Sequence, residues 1–189
     1  NLYTIDKKTN LTLVGTDGHR LAKSTHLIEQ YIDQTLGVII PKKTINELSK
    51  LLSDINENIE IIISPSKIIF FINNLVLISK LIDGTFPDYK RVIPSENKNT
   101  VEINREQLLS AVDRVSTIAN EKSPVIKFNL MKNIVNLNTI NNDNSTATED
   151  IKLNYDGEEF EIGFNSKYIM DIINNLEDET IELKLKDGS

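Results

Sequence analysis

The sequence predicts an α+β protein built from repeated modules, in which antiparallel sheets carry a few helices on one face. Three observations predict it. First, "VIIPKKTINELSKLL" (38–52), "VEINREQLLSAVDRV" (101–115) and "EIGFNSKYIMDIINNL" (161–176) each pass from a short apolar strand, through Pro or Asn, into an amphipathic helix. Second, similar strands, "IEIIIS" (59–64) and "IELKLK" (181–186), come after polar turns behind the first and third helices. Third, the remainder is β-rich and punctuated by Asn-containing turns, as hairpins require.

Taken in order, "LTLVGT" (11–16) is a strand running into the turn pair Asp17-Gly18, and "HRLAKS" (19–24) leaves it. Pro41 suits the entrance of the first helix, whose apolar stripe is Ile45, Leu48 and Leu52. "KIIFFI" and "LVLISKLI" continue a meander around the turn Asn73-Asn74. "LIDGTFPDYKRVIP" (81–94) is too proline-rich for a central strand and reads as an ordered connector between domains, 1–94 and 95–189. Asn104 suits the N-cap of the second helix, with its stripe Leu108, Ala111, Val112 and Val115. "KFNLMKNIVNLNTI" and "EDIKLNYDGEEFEIGF" read as hairpins joined by Lys132-Asn133 and by the polar loop 141–148. Asn165 suits the N-cap of the third helix, with the stripe Ile169, Ile172, Ile173 and Leu176.

Composition narrows the function classes. The 189 residues are ample for one or two cores, with 39% hydrophobic and 26% charged residues. No apolar run is long enough to span a membrane as a helix, so no membrane partner is expected. Zero cysteines exclude disulfides and thiolate metal sites and permit a cytosolic home. The chain opens at Asn1 rather than at methionine and reads as a piece of a longer protein. Net charge is −7, which by itself argues against nucleic acid, yet residues 1–94 hold 11 Lys+Arg against 10 Asp+Glu and residues 95–189 hold 10 against 18. A local basic face therefore survives the acidic total. The polar sides of the helices supply one: Lys42, Lys43, Asn46, Glu47 and Lys50 on the first, Gln107, Ser110 and Arg114 on the second, Lys167, Asp171, Asn174 and Asn175 on the third. Any one of these is an ordinary solvated face; three in equivalent positions make a repeated surface.

Asp17-Gly18-His19-Arg20 admits three readings: an acid–base or metal site, a tight polar turn, or part of a binding surface whose apolar floor begins at Leu21. A metal centre needs three or four ligands, and the other histidine, His26, has no patterned neighbour. There is no G-x-S-x-G elbow, no G-x-G-x-x-G and no Gly-Lys-Ser/Thr. No catalytic residue, metal or cofactor is expected, and on residue chemistry alone a turn is favoured.

Two segments carry a resemblance. "GTDGHRLA" (15–22) and "DGTFPDYKRVIP" (83–94) are similar to the "ATDGHRLA" and "DGxFPDYxRVIP" motifs of the bacterial DNA sliding clamp, the beta subunit of DNA polymerase III. "NEK" (120–122) and 161–176 fit the third-domain helices of that family, and Gly15 stands where it usually has Ala. The resemblance covers the whole chain as the latter part of the second clamp domain and most of the third, without the first domain or the final strands.

The resemblance implies a non-catalytic, cytoplasmic, nucleoid-associated processivity factor. It implies a ring of repeated modules around duplex DNA, without sequence specificity, closed as a head-to-tail homodimer of the full-length protein. Lys42, Lys43, Lys50, Arg105, Arg114 and Lys167 would face DNA, and Thr117 and Ile118 would lie near the dimer contact. A pocket would receive Gln-Leu-x-Leu-Phe-type peptides from the replicative polymerase, the clamp loader, and other polymerases or repair proteins. In it Thr16, Gly18, His19, Arg20 and Leu21 would meet Pro87, Arg91 and Val92, with Asn165 and Tyr168 as the other lobe. Two rivals remain: an adaptor with the same pocket but no DNA encirclement, and a hydrolase built on Asp17 and His19, which lacks a nucleophile or third ligand.

Overall fold

The computed structural model describes residues 2–5, 10–28, 36–120, 124–141 and 143–186. Of the motifs singled out above, Glu121 and Lys122 of "NEK" lie outside the described residues. The chain forms two compact units, Asn1–Tyr89 and Lys90–Ser189. The division falls where one helical turn begins, five residues before Pro94, the end of the connector assigned to the first domain from sequence.

In the first unit, β1 (Leu2–Ile5), β2 (Asn10–Thr16), β3 (Leu21–Leu27) and β4 (Leu36–Ile39) form an antiparallel sheet of order β3-β2-β1-β4. Helix α1 (Lys42–Leu52) follows Pro41, which supplies no side-chain cap; its carbonyl accepts from the Ile45 amide at 3.3 Å. The meander β5 (Glu60–Ile63), β6 (Lys67–Ile72) and β7 (Leu75–Lys80) makes a second sheet, its β6–β7 turn carried by Asn73 at φ 50°, a conformation Asn tolerates. Ile40, Leu48, Ile68, Phe70 and Ile72 are the buried centre of this unit, with Ile45 and Leu52 packed beside them. The α1 stripe expected from spacing is thus the face that is buried.

The helical turn α2 (Tyr89–Val92) begins on the last residue of the first unit, and the second unit continues with β8 (Asn99–Asn104) and α3 (Arg105–Ser116). Next come β9 (Val125–Met131), β10 (Ile134–Ile140), β11 (Thr146–Lys152), β12 (Phe160–Asn165), α4 (Ser166–Asn174) and β13 (Thr180–Leu185). The sheets run β11-β10-β9-β12 and β13-β8, all pairs antiparallel. Asn104 Oδ1 accepts from the Gln107 amide at 3.0 Å, and Asn165 Oδ1 from the amides of Lys167 and Tyr168 at 3.0 and 3.4 Å, so both expected N-caps form. Leu108, Ala111, Val112 and Val115 are all buried against β9, β10 and β11 residues such as Ile126, Leu130, Leu137 and Ile151. Phe128 and Phe164 meet edge to face at 5.2 Å.

Three details depart from the sequence reading. The polar loop ends earlier than expected, because β11 begins at Thr146 and pairs with Ile140. The segment 149–164 holds two strands that do not pair with each other: β11 binds β10, and β12 binds β9 on the other side of the sheet. The connection between them is anchored instead by the β9–β10 turn, where Asn133 donates to Tyr155 O at 2.8 Å and accepts from the Leu153 amide at 3.2 Å. Finally, α4 buries Ile173, with Ile169 and Met170 packed beside it, while Ile172 is 46% exposed and Leu176 lies past the helix end. A nine-residue helix needs only a narrow buried arc, and Ile172 falls on its flank.

The order β9-β10-β11-β12-α4-β13 repeats β1-β2-β3-β4-α1-β5, and the sheet orders β11-β10-β9-β12 and β3-β2-β1-β4 correspond strand for strand. The strand-helix modules noted in sequence are β4-α1, β8-α3 and β12-α4. The fold is α+β, with repeated antiparallel sheets and few helices.

Candidate functional site

The β2–β3 turn is built around one carboxylate. Asp17 Oδ1 accepts from the amides of His19 (3.1 Å) and Arg20 (3.0 Å), and Oδ2 accepts from Arg20 Nε (3.1 Å). Thr16 Oγ1 donates to Arg20 O at 2.8 Å and accepts from the Gly18 amide at 3.2 Å, closing the turn from the other side. Gly18 sits at φ +87°, where a side chain is disfavoured. The backbone donors of His19, then Arg20, hold the Asp17 carboxyl at about 2. A carboxylate so committed is a poor base at neutral pH; its role is to pin the turn. His19 stays exposed beside it, and Leu21 is half-buried at the start of β3. Of the three readings open in sequence, this geometry is a pinned polar turn followed by an apolar residue.

The other peptide-contact candidates lie elsewhere on the chain. Pro87 is exposed in the connector, and Arg91 and Val92 are exposed on α2, Val92 at 64%. Asn165 and Tyr168 share the first turn of α4; Asn165 spends its carbonyl oxygen on the cap, and Tyr168 is half-buried. Thr117 caps the end of α3, its hydroxyl donating to Arg114 O, and Ile118 follows half-buried.

The six cations divide into two groups. Lys42 and Lys43 are exposed in the first turn of α1, which contains no acid and has no side-chain cap. That end of a helix carries partial positive charge, so two lysines there are disfavoured unless an anion joins them. With Asn46, Glu47, Ser49 and Lys50 they line one open depression along the helix. Lys167 is exposed at the start of α4. None of these three makes an ion pair among the described residues. Lys50, by contrast, lies 3.2 Å from Glu47, and Arg105 is 3.6 Å from Glu106 with its Nε buried and without a partner. Arg114 is gripped by Glu149 on β11, Nε to Oε2 at 2.9 Å with a second bond from Nη2. The hydrogen bonds raise the Arg114 pKa and lower that of Glu149. Sequence reasoning missed Glu149 because it is 35 residues from Arg114; only the packing of α3 on β11 joins them. Arg105 and Arg114 are nine positions apart on α3, about 13 Å along its axis, and act separately.

Two family models match consecutively: the DNA polymerase III beta subunit central domain over residues 2–88 and the C-terminal domain over residues 90–189. The chain belongs to the DNA polymerase III beta subunit family. Beta sliding clamps of Caulobacter vibrioides and Haemophilus influenzae are 38% identical over 188 residues and 39% over 178. Those alignments take in 98% and 94% of this chain and 50% and 48% of the relatives. Crystal structures agree: the DNA polymerase III subunit beta of Pseudomonas aeruginosa matches at TM-score 0.95 and 32% identity over 99% of this chain and 51% of that one. The Bartonella birtlesii sliding clamp bound to griselimycin matches at 0.92 and 41%, over 99% and 51%. The chain spans about half the length of the beta sliding clamps it matches. Among the described residues no helix is long and apolar enough to cross a membrane.

Proposed function

We propose that this chain is the portion of a bacterial sliding clamp comprising the C-terminal part of its second domain, 1–94 with the connector, and third-domain sequence, 95–189. The full-length protein closes head to tail as a homodimer, through contacts that include Thr117 and Ile118, and encircles duplex DNA. It works in the cytoplasm as a processivity factor and not as a catalyst. The observation that carries this reading is the consecutive match of the two beta-subunit domains along the whole chain.

Physics supports the DNA part. A ring holds DNA by topology, so its contacts can be few, sequence-blind and weak enough to slide. Lys42, Lys43 and Lys167 suit this, being exposed and without ion pairs among the described residues. Lys50, Arg105 and Arg114 carry acidic neighbours and contribute less. The acidic total charge of −7 disfavours nonspecific binding outside the ring.

For partners, we assign Gln-Leu-x-Leu-Phe-type peptides to Thr16, Gly18, His19, Arg20, Leu21, Pro87, Arg91, Val92, Asn165 and Tyr168. The pinned turn presents Leu21 without an ordering cost on binding, and His19 and Arg20 offer polar contacts beside it. Tethering a polymerase this way raises its effective concentration at the template. A relative bound to griselimycin supports ligand binding in this fold.

The experiment uses full-length protein loaded on circular DNA, with retention measured against salt, and a fluorescent Gln-Leu-x-Leu-Phe peptide titrated into wild type, Leu21→Ala and Arg91→Ala. Salt-sensitive retention and weaker peptide binding by both variants are expected. Peptide binding without retention would favour the adaptor. Unchanged affinity in both variants would remove the peptide assignment.

A further inference from the structure

The sheet β5-β6-β7 has two faces of opposite character. Ile68, Phe70 and Ile72 point into the core, where Thr44 of α1 meets Ser79 of β7 hydroxyl to hydroxyl at 2.7 Å. The face turned away from α1 ought to be polar in a sheet covered on one side only. It is not. Ile62, Ile69 and Ile78 lie directly opposite one another across the three strands, and Glu60, Phe71 and Val76 form the next row, with the exposed Glu60 at the corner farthest from the lysines described below. Ile62, Val76 and Ile78 are 42%, 54% and 59% exposed. Five apolar side chains in two adjoining rows make a contiguous patch rather than scattered exposure.

The fold itself does not require this. In the second unit β13 occupies the place of β5, and its outward residues are Glu182 and Lys184, paired with each other at 3.2 Å. The centre of the outward face of β9-β10-β11 is likewise polar, with Asn136 donating to Thr148 at 2.8 Å and to Asp150 at 2.6 Å. Among the described residues, the β5-β6-β7 sheet gathers outward isoleucine, phenylalanine and valine into two adjoining rows, whereas on β9-β10 the exposed Val125 and Ile140 stand at one end of the face.

Charge indicates what covers the patch. On the row beyond the isoleucines, Lys67 and Lys80 stand directly opposite each other, both exposed and with no ion pair among the described residues. Like charges facing across a strand pair are destabilising, so an anionic group brought between them would be attracted by both. The lysine row lies about 7 Å beyond the isoleucine row, the distance between alternate residues of an extended chain. We infer that this face is a second docking surface, separate from the β2–β3 turn, for a partner-protein segment that presents alternating apolar side chains followed by acidic ones.

The test is an amide-resolved NMR titration of this chain with two blocked peptides, Val-Ser-Ile-Ser-Glu-Ser-Glu and its counterpart with lysine for glutamate. The acidic peptide should shift the amides of β6 and β7 between Lys67 and Lys80, and the lysine peptide should bind at least tenfold more weakly. Lys67→Glu/Lys80→Glu should reverse that preference, and Ile78→Thr, which keeps a β-branched residue at an exposed site, should weaken both. The inference fails if the two peptides bind alike, if the shifts fall elsewhere, or if none appear up to millimolar peptide. It also fails if sedimentation shows self-association that Ile78→Thr abolishes, since a second copy would then be the occupant. Duplex DNA shifting these same amides would overturn it in favour of nucleic acid, and charge reversal that alters only solubility would leave the lysines as guards of an exposed edge.

Discussion

Gly18→Ala is the most direct probe of the turn that presents Leu21. Gly18 lies at φ +87°, and a Cβ built on it meets no atom within 4 Å. Steric collision therefore contributes nothing, and the whole penalty is the backbone preference of an L-residue against left-handed conformation, roughly 1–2 kcal/mol. Asn tolerates that region better, so Gly18→Asn should cost about half as much, whereas β-branched Gly18→Val should exceed Ala. The alternative to paying in stability is for the turn to flip, which would break the Gly18 and His19 amide bonds to Thr16 and Asp17. On the proposed peptide role, either route should weaken presentation of Leu21 to a peptide, by about tenfold for each 1.4 kcal/mol lost to reordering. Urea denaturation and peptide titration on the three variants of the full-length protein measure both quantities. Equal stability of glycine and alanine, or an asparagine variant as damaged as valine, would refute the argument from φ.

Other outcomes follow from the same geometry. Asp17 has its carboxyl lowered from 3.8 to about 2 in the folded chain, so its stabilising effect is complete above pH ~4 and fades as pH falls through about 2; a carboxyl-carbon NMR titration should show that midpoint, and Asp17→Asn should abolish the dependence. Glu149→Gln releases Arg114, and the slope of log affinity for DNA against log salt should steepen by about 1, whereas Lys42→Ala/Lys43→Ala should flatten it by about 2. Gly157→Ala should destabilise the second unit by about 2–4 kcal/mol, since its Cβ would lie 2.6 to 2.8 Å from the ring and hydroxyl of Tyr155, which is 4% exposed and donates to Glu158 O at 2.6 Å. Denaturation in a Tyr155→Leu background should remove most of that cost.

What could be read in advance was what is local. The α3 stripe was legible because its four apolar positions follow one helical period, and the caps Asn104 and Asn165 because a cap needs only residues two or three positions on. The turn motif at 15–22 was legible as a resemblance, while its internal wiring, one carboxylate serving two amides and a guanidinium, depended on the backbone path. The pairing of β11 and β12 with different partners was not legible, because strand spacing alone favours a hairpin and the decision rests with the long-range anchor between Asn133 and Tyr155. The Arg114–Glu149 pair was hidden for the same reason. The outward isoleucines of β5-β6-β7 hid in plain view: a continuous apolar run does not say which of its alternate residues is covered.

In the second unit both longer helices start on the residue immediately after a strand ends: β8 stops at Asn104 and α3 begins at Arg105, and β12 stops at Asn165 and α4 begins at Ser166. With no slack between them, the sheet dictates the azimuth of each helix. One extra residue spliced in at either junction would turn everything downstream by about 100° about the helix axis, carrying apolar groups toward water and cations toward the interior. Exposed side chains on these helices can be exchanged at little cost, whereas added residues are best absorbed at their far ends.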